Sequence, residues 1–215
     1  MSITVQVITD QAAIQLVDQS HVTWPVANLI SYLNEALRAT ALVKPDLVVN
    51  QTVVTLAAGV LQSIPADGIA LIDIKRNAIG TKRVISEVDQ QLLDEVQRFW
   101  PAATQSATVE HYTTSVATPR QFDVYPPNDG TGQVLMVYGA VPALVSTVGD
   151  TLPVLEIYQQ PLVQYVVSRA YAANTKRQDL TKEANAKQAW AQAIGAKSQA
   201  QAAISPRVAS QPGVA

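Results

Sequence analysis

The hydrophobic period of this chain changes twice along its length, and that change restricts the fold more than any motif. Val26, Leu29, Ile30, Leu33 and Leu37 recur at three- and four-residue steps, the spacing of one buried helix face, while Asn28, Ser31, Glu35 and Arg38 fall mostly elsewhere. Thr23 stands where a side chain caps free N–H groups, and Pro25 in the first turn removes no hydrogen bond the helix needs. Pro45 ends the helix, because it pushes its predecessor out of the α region. Beyond it the chain becomes β-branched and short-ranged; from Leu162 the helical period returns.

The middle reads as a succession of strands. Thr52–Leu56 and Val60–Ile64 are the first two, the second closed by the reversal Pro65-Ala66-Asp67-Gly68. Ile69–Ile74 fits a strand or a short helix equally well. A short helix is predicted over Asp89–Gln97, leading into Phe99-Trp100-Pro101, followed by strands at Val109–Tyr112, Gln121–Tyr125 and Gln133–Tyr138. The last two flank Pro126 to Gly132, whose prolines and glycines predict a hairpin with an extended tip.

The C-terminal third carries two helical stripes. Leu162, Tyr165, Val166, Arg169, Ala170 and Ala173 mark one, with Pro161 near its start; Ala186, Ala189, Trp190, Ala193 and Ile194 mark the other, over 180–195. Antiparallel packing of this pair on the 24–43 helix buries all three, with Trp24 and Trp190 as packing residues. Residues 1–22 show only a modest apolar pattern at Ile14, Leu16 and Val17. The expected fold class is α+β: an antiparallel helical bundle core, an inserted small antiparallel β unit and an extended C-terminal tail. Its boundaries are a domain over 1–197, with helical core about 24–44 and 153–197 and β-rich insertion about 50–140, then a tail over 198–215. The tail has no aromatic residue and cannot build a core of its own.

Little in the chain suggests catalysis or a cofactor. With no cysteine, disulfides and thiolate metal sites are excluded, and two histidines, His21 and His111, leave few ways to hold zinc. In a strand Glu110 and His111 point to opposite faces and form no acid–base pair. Gly130-Thr131-Gly132 lacks the third glycine and following helix of a dinucleotide loop, and Gly80-Thr81-Lys82 lacks the Gly-Lys pair of a phosphate loop. No catalytic, cofactor-binding or metal-binding residue is therefore assigned. The net charge of −2 argues against a nucleic-acid-binding module, since Lys75, Arg76, Lys82 and Arg83 are interspersed with acids. Charged residues are only 15 % of the chain, so its surface is weakly defended against association and suited to being covered by other subunits. The first residues lack a basic start and apolar run, and no stretch is long enough to span a membrane; the expectation is synthesis in the cytoplasm and retention there until assembly.

Trp24-Pro25, Lys44-Pro45-Asp46, Gln62 to Gly68, Lys75-Arg76-Asn77, Phe99-Trp100-Pro101, Phe122 to Pro127 and Ser168 to Tyr171, in this order, resemble the head-to-tail adaptor (connector) proteins of tailed bacteriophages over about residues 20–200. The resemblance implies a virion structural protein of the neck, made in the host cytoplasm, with a helical core, an inserted β region and a C-terminal tail. It further implies a homo-oligomeric ring of about twelve copies beneath the portal, closed because an unclosed head-to-tail contact makes filaments. The ring links capsid vertex to tail or nozzle proteins and surrounds the DNA exit channel without reading DNA sequence. On this chain the loop Pro126, Pro127, Asn128, Asp129 and Gly130 stands where the tail-facing projection is expected, and Ile204, Pro206, Arg207 and Val208 where the portal-binding tail is expected. Two other classes stay open: another phage neck or tail-completion structural protein, or an enzyme gathering dispersed polar residues such as Asp67, Asp73, Glu110 and His111 into one pocket.

Overall fold

In the computed structural model the described residues are 3–173 and 176–204, with side chains as far as Gly195. Their elements run α1 (Val5–Gln15), α2 (Val26–Val43), β1 (Val49–Thr55), β2 (Ala58–Ser63), β3 (Gly68–Asn77), β4 (Ser86–Glu87) and α3 (Gln90–Val96). After these come β5 (His111–Thr114), β6 (Gln121–Asp129), β7 (Gln133–Ala140), α4 (Gln159–Ala172) and α5 (Leu180–Ile204). The protein is mixed α+β and divides into two compact units, Met1–Lys44 with Ala143–Ala215, and Pro45–Pro142.

In the first unit α4 packs against α1, α2 and α5. The predicted α2 stripe is buried at Leu29, Ile30, Leu33 and Leu37, and each leucine fully removed from water stabilises by roughly 1.5–3 kcal/mol. α4 buries Leu162, Val166 and Ala170 as expected, with Pro161 in its first turn, where no hydrogen bond is lost. α5 buries Ala186 and Ile194 and half-buries Trp190.

Three expectations for this unit are corrected. Thr23 does not cap α2: Pro25 is the N-cap and no side chain caps the helix. Residues 5–15 form a helix, α1, whose buried residues are Val5, Ile8, Thr9, Ala12 and Ala13, while Ile14 and Val17 are exposed. Beyond Val5 and Ile8 its buried face is Thr9, Ala12 and Ala13, while Ile14 and Val17 point outward, so its periodicity is faint. The carbonyls of Asp150 and Val148 satisfy its first N–H groups, from Val5 and Gln6 (both 2.9 Å). Finally, α5 continues past Lys197 to Ile204, through an Ala- and Gln-rich sequence without Gly or Pro beyond Gly195, so an extended segment does not begin at 198.

The second unit holds two sheets of order β1-β7-β3 and β2-β6-β5-β4, so the β region is substantial rather than small. Both sheets contribute to one core, in which Ile74, Val134 and Met136 meet Tyr112, Phe122 and Val124. It is not wholly antiparallel, because β4 runs parallel to β5. Ile69–Ile74, ambiguous in sequence, lies in β3. Gly68 N–H donates to the Pro65 carbonyl (2.9 Å), closing the expected turn between β2 and β3. Gly139 is obligatory at β7, since a Cβ there would lie 1.9 Å from the Pro45 carbonyl oxygen.

The predicted hairpin is also corrected. β6 and β7 follow one another across residues 130–132 yet pair in different sheets, β6 with β2 and β5, β7 with β1 and β3. Pro126, Pro127, Asn128 and Asp129 belong to β6, with Pro127 and Asn128 buried, and are not an exposed loop. The prolines are tolerated because the ladder is interrupted there: β2 pairs at Asp123 and resumes at Asn128, and β5 pairing ends at Tyr125.

Candidate functional site

Among the described residues, several buried polar side chains (Asp18, Gln62, Asn77 and Asn128) hold backbone groups. Asp18, just beyond α1, accepts the N–H groups of Val22 (3.1 Å), Thr23 (2.9 Å) and Trp24 (2.9 Å). These bonds, that from Trp24 foremost, hold its carboxyl below the ordinary aspartate value, helped by the Arg177 charge. Trp24 is thereby seated in the core, its Nε1 donating to the Ala170 carbonyl (3.1 Å) and its ring meeting Tyr171 edge-on at 6.0 Å. Trp190 meets Tyr165 edge-on at 5.2 Å and donates from Nε1 to Thr40 Oγ1 (3.2 Å). Both tryptophans are packing residues within the first unit.

Asn128 is fully buried. Its Oδ1 accepts the N–H groups of Gly130 (2.8 Å) and Gly132 (3.2 Å), and its Nδ2 donates to the Ser106 carbonyl (3.0 Å). A Cβ at Gly132 would stand 2.1 Å from that Nδ2, so glycine is needed there. In the segment expected to project only Asp129 is exposed, Pro126 and Gly130 being half-buried, and the Thr131 hydroxyl and N–H lower the Asp129 pKa. Ile204 ends α5; its side chain, with Pro206, Arg207 and Val208, lies outside the described residues.

The residues an enzyme reading needs are distributed among separate partners. Tyr138 donates to Asp67 (3.1 Å), Tyr112 donates to Asp73 (3.2 Å), Arg83 pairs with Glu110, and His111 stacks on Tyr125 at 6.3 Å. Burial raises the Tyr112 phenol well above its usual range, a consequence of core packing that Glu87 and Asp73 reinforce. Among the described residues no group of His, Cys, Asp or Glu is arranged to hold a metal ion, and no helix is long and apolar enough to cross a membrane. Lys75 pairs with Asp73 (2.5 Å), so the basic segment is a strand and turn laced with acids.

What the surface offers instead is apolar. Leu92, Val96 and Phe99 lie exposed along α3 and the turn beyond it, Phe99 at 81 %. Val17, Val22 and Leu42 in the first unit, and Val53, Leu61 and Val116 in the second, are exposed as well. Scattered exposed apolar residues are ordinary, but a run on one helix end in a chain poor in charge is suited to contact with protein. Sequence periodicity could have located this run, since Leu92, Val96 and Phe99 stand at helical steps.

A family model described as SU10 adaptor protein matches residues 3–211, nearly the whole chain, and no curated protein matches it. The chain belongs to this family of phage head-to-tail adaptors, structural proteins of the virion neck.

Proposed function

We propose that the protein forms a ring of about twelve copies beneath the portal, closed in the way head-to-tail contacts must be. In that place it links the capsid vertex to tail or nozzle proteins and encloses the channel through which DNA leaves. The observation that carries this reading is the family match over residues 3–211. The low charge and the exposed apolar run on α3 support it, since both fit a subunit whose surface is covered on assembly. In this reading the helices of the first unit are the ring's core, and residues 205–215, with Pro206, Arg207 and Val208, reach the portal. Asp129 and Gly130 stand at the projection facing the tail. DNA passes without base-specific contact, as the net charge of −2 leads one to expect.

Mass measurement of the complex on isolated portals tests the reading. A stoichiometry matching a closed ring is expected; one or two copies per vertex would sink it. A ring found only on the tail side, without portal contact, would make the protein a tail-completion component instead.

A further inference from the structure

Between β3 and the end of α3 the charges of the chain separate by sign. Over residues 74–85 every charge is positive (Lys75, Arg76, Lys82 and Arg83), and over 86–99 Glu87, Asp89, Asp94 and Glu95 stand against Arg98 alone. Each of these residues is exposed. Asp73 and Glu110 pair with Lys75 and Arg83, while among the described residues Arg76, Lys82 and Glu95 have no ion-pair partner. Each group surrounds exposed apolar residues: Ile79 and Val84 in the first, Leu92, Val96 and Phe99 in the second. An apolar centre with a charged rim is the usual composition of a protein contact.

The two surfaces stand on different parts of the second unit. Val84 bridges Arg76, and Ile85 N–H donates to the Lys75 carbonyl (3.3 Å), so residues 84–85 join the outer edge of β3 to β4, Val84 turned to solvent and Ile85 to the core. Lys82 N–H donates to the Ile79 carbonyl (3.4 Å), closing a turn on which both residues are exposed. The far end of α3 is fixed elsewhere. Phe122 and Val124 of β6 face the core, which leaves Tyr125 on the outer face of that strand, and its hydroxyl donates to the Gln97 side chain. Trp100 donates from Nε1 to Asp94 (2.7 Å) and is buried where the turn beyond α3 packs on β6. This anchoring turns Leu93 inward and leaves Leu92, Val96 and Phe99 to solvent. β4 and β5 stand between the β3 seam and β6.

Resting on the adaptor reading, we propose that successive copies of this chain meet head to tail through these two surfaces. The acid-rimmed apolar face of α3 on one copy lies against the basic turn and seam at residues 76–84 of the next. The occupant is a second copy because one chain carries both halves of a complementary pair. In that contact Arg76 and Lys82 face Asp94 and Glu95, and Val96 and Phe99 are covered by Ile79 and Val84. A two-fold contact of either surface with itself would instead set like charges against each other, which is costly. Because two different surfaces meet, each copy keeps one of each for its two neighbours, and the contact repeats until the ring closes.

Cross-linking on isolated portals tests the proposal, and the chain has no cysteine of its own to interfere. Val84→Cys with Phe99→Cys in one chain, treated with a short bis-maleimide, should give a ladder extending past the dimer. Either substitution alone should leave monomers. Arg76→Glu with Lys82→Glu should leave thermal unfolding unchanged and retain about tenfold fewer copies per portal. Adding Glu95→Lys should restore most of them, a rescue that a folding defect would not show. Dimers from a single variant, a full ring that gives no ladder, or charge-reversed rings at full occupancy would each overturn the proposal and leave the ring reading standing. One or two wild-type copies per portal would overturn both.

Discussion

Asn77 holds Val109 by both ends of its side-chain amide, Nδ2 donating to the Val109 carbonyl (2.8 Å) and Oδ1 accepting the Val109 N–H (2.9 Å). Both residues are buried, and the same Nδ2 reaches the Arg83 carbonyl (3.0 Å). One side chain thus supplies the pairing a strand would give, where the end of β3 meets the segment entering β5. Its polar groups are satisfied, as buried polar groups must be.

Asn77→Leu keeps the branching and number of side-chain heavy atoms and leaves the buried N–H and carbonyl of Val109 without partners, while the Arg83 carbonyl keeps the Asn77 backbone N–H. The expected loss is on the order of 2–4 kcal/mol, from unsatisfied buried groups rather than from a cavity. Urea unfolding would show it as a lowered midpoint at unchanged slope; a midpoint within error of wild type would mean that water replaces the amide.

The tryptophans should separate in a truncation experiment. Trp24 is buried and bonded, so Trp24→Ala should cost roughly 3–5 kcal/mol. Trp190 is half-buried, so Trp190→Ala should cost about half as much, from the contact with Tyr165 and the bond to Thr40. Equal losses in thermal unfolding would contradict this ranking.

Acid stability should follow the carboxylates that hold backbone. Asp150 accepts the N–H groups of Ser146 (2.7 Å) and Thr147 (2.9 Å), which lower its pKa from 3.8 to about 2. A depressed folded pKa means its contribution is complete above the unfolded value and is lost as pH falls from about 4 toward 2. Asp150→Asn should lower stability at neutral pH and flatten that acid limb. Asp123 has the opposite sign: burial raises its pKa, so its charge opposes folding and Asp123→Asn should stabilise at pH 7. Denaturant midpoints measured against pH distinguish the two cases.

The long apolar stripes were legible in the sequence, because α2, α4 and α5 each bury residues at the helical step, and β-branched runs located most strands. α1 was not, since Ala12, Ala13 and Thr9 carry little hydropathy although they are buried. Sheet membership was not legible either. Residues 130–132 between β6 and β7 look like a hairpin tip, and only long-range pairing with β2, β5, β1 and β3 assigns the strands to different sheets. The backbone-holding roles of Asp18, Asn77 and Asn128 were missed for a related reason, the last having been read as part of an exposed loop: each acts on backbone groups, which leave no residue-type pattern at their partners.

The C-terminal residues give the sharpest test of the proposed attachment. Because α5 continues to Ile204, cutting after Lys197 would shorten a helix and confuse docking with folding. Cutting after Ile204 keeps α5 whole and removes Pro206, Arg207 and Val208. Pro206 restricts the unbound segment and so reduces the entropy lost on ordering, while Arg207 can donate a charge-assisted hydrogen bond to a portal carboxylate or carbonyl. Each contact is weak alone, and a ring multiplies them by holding every tail at high effective concentration. The truncated protein should melt at the wild-type temperature yet fail to stay on portal-bearing capsids through sedimentation. Wild-type occupancy after that truncation would show that the ring is held to the portal by other surfaces.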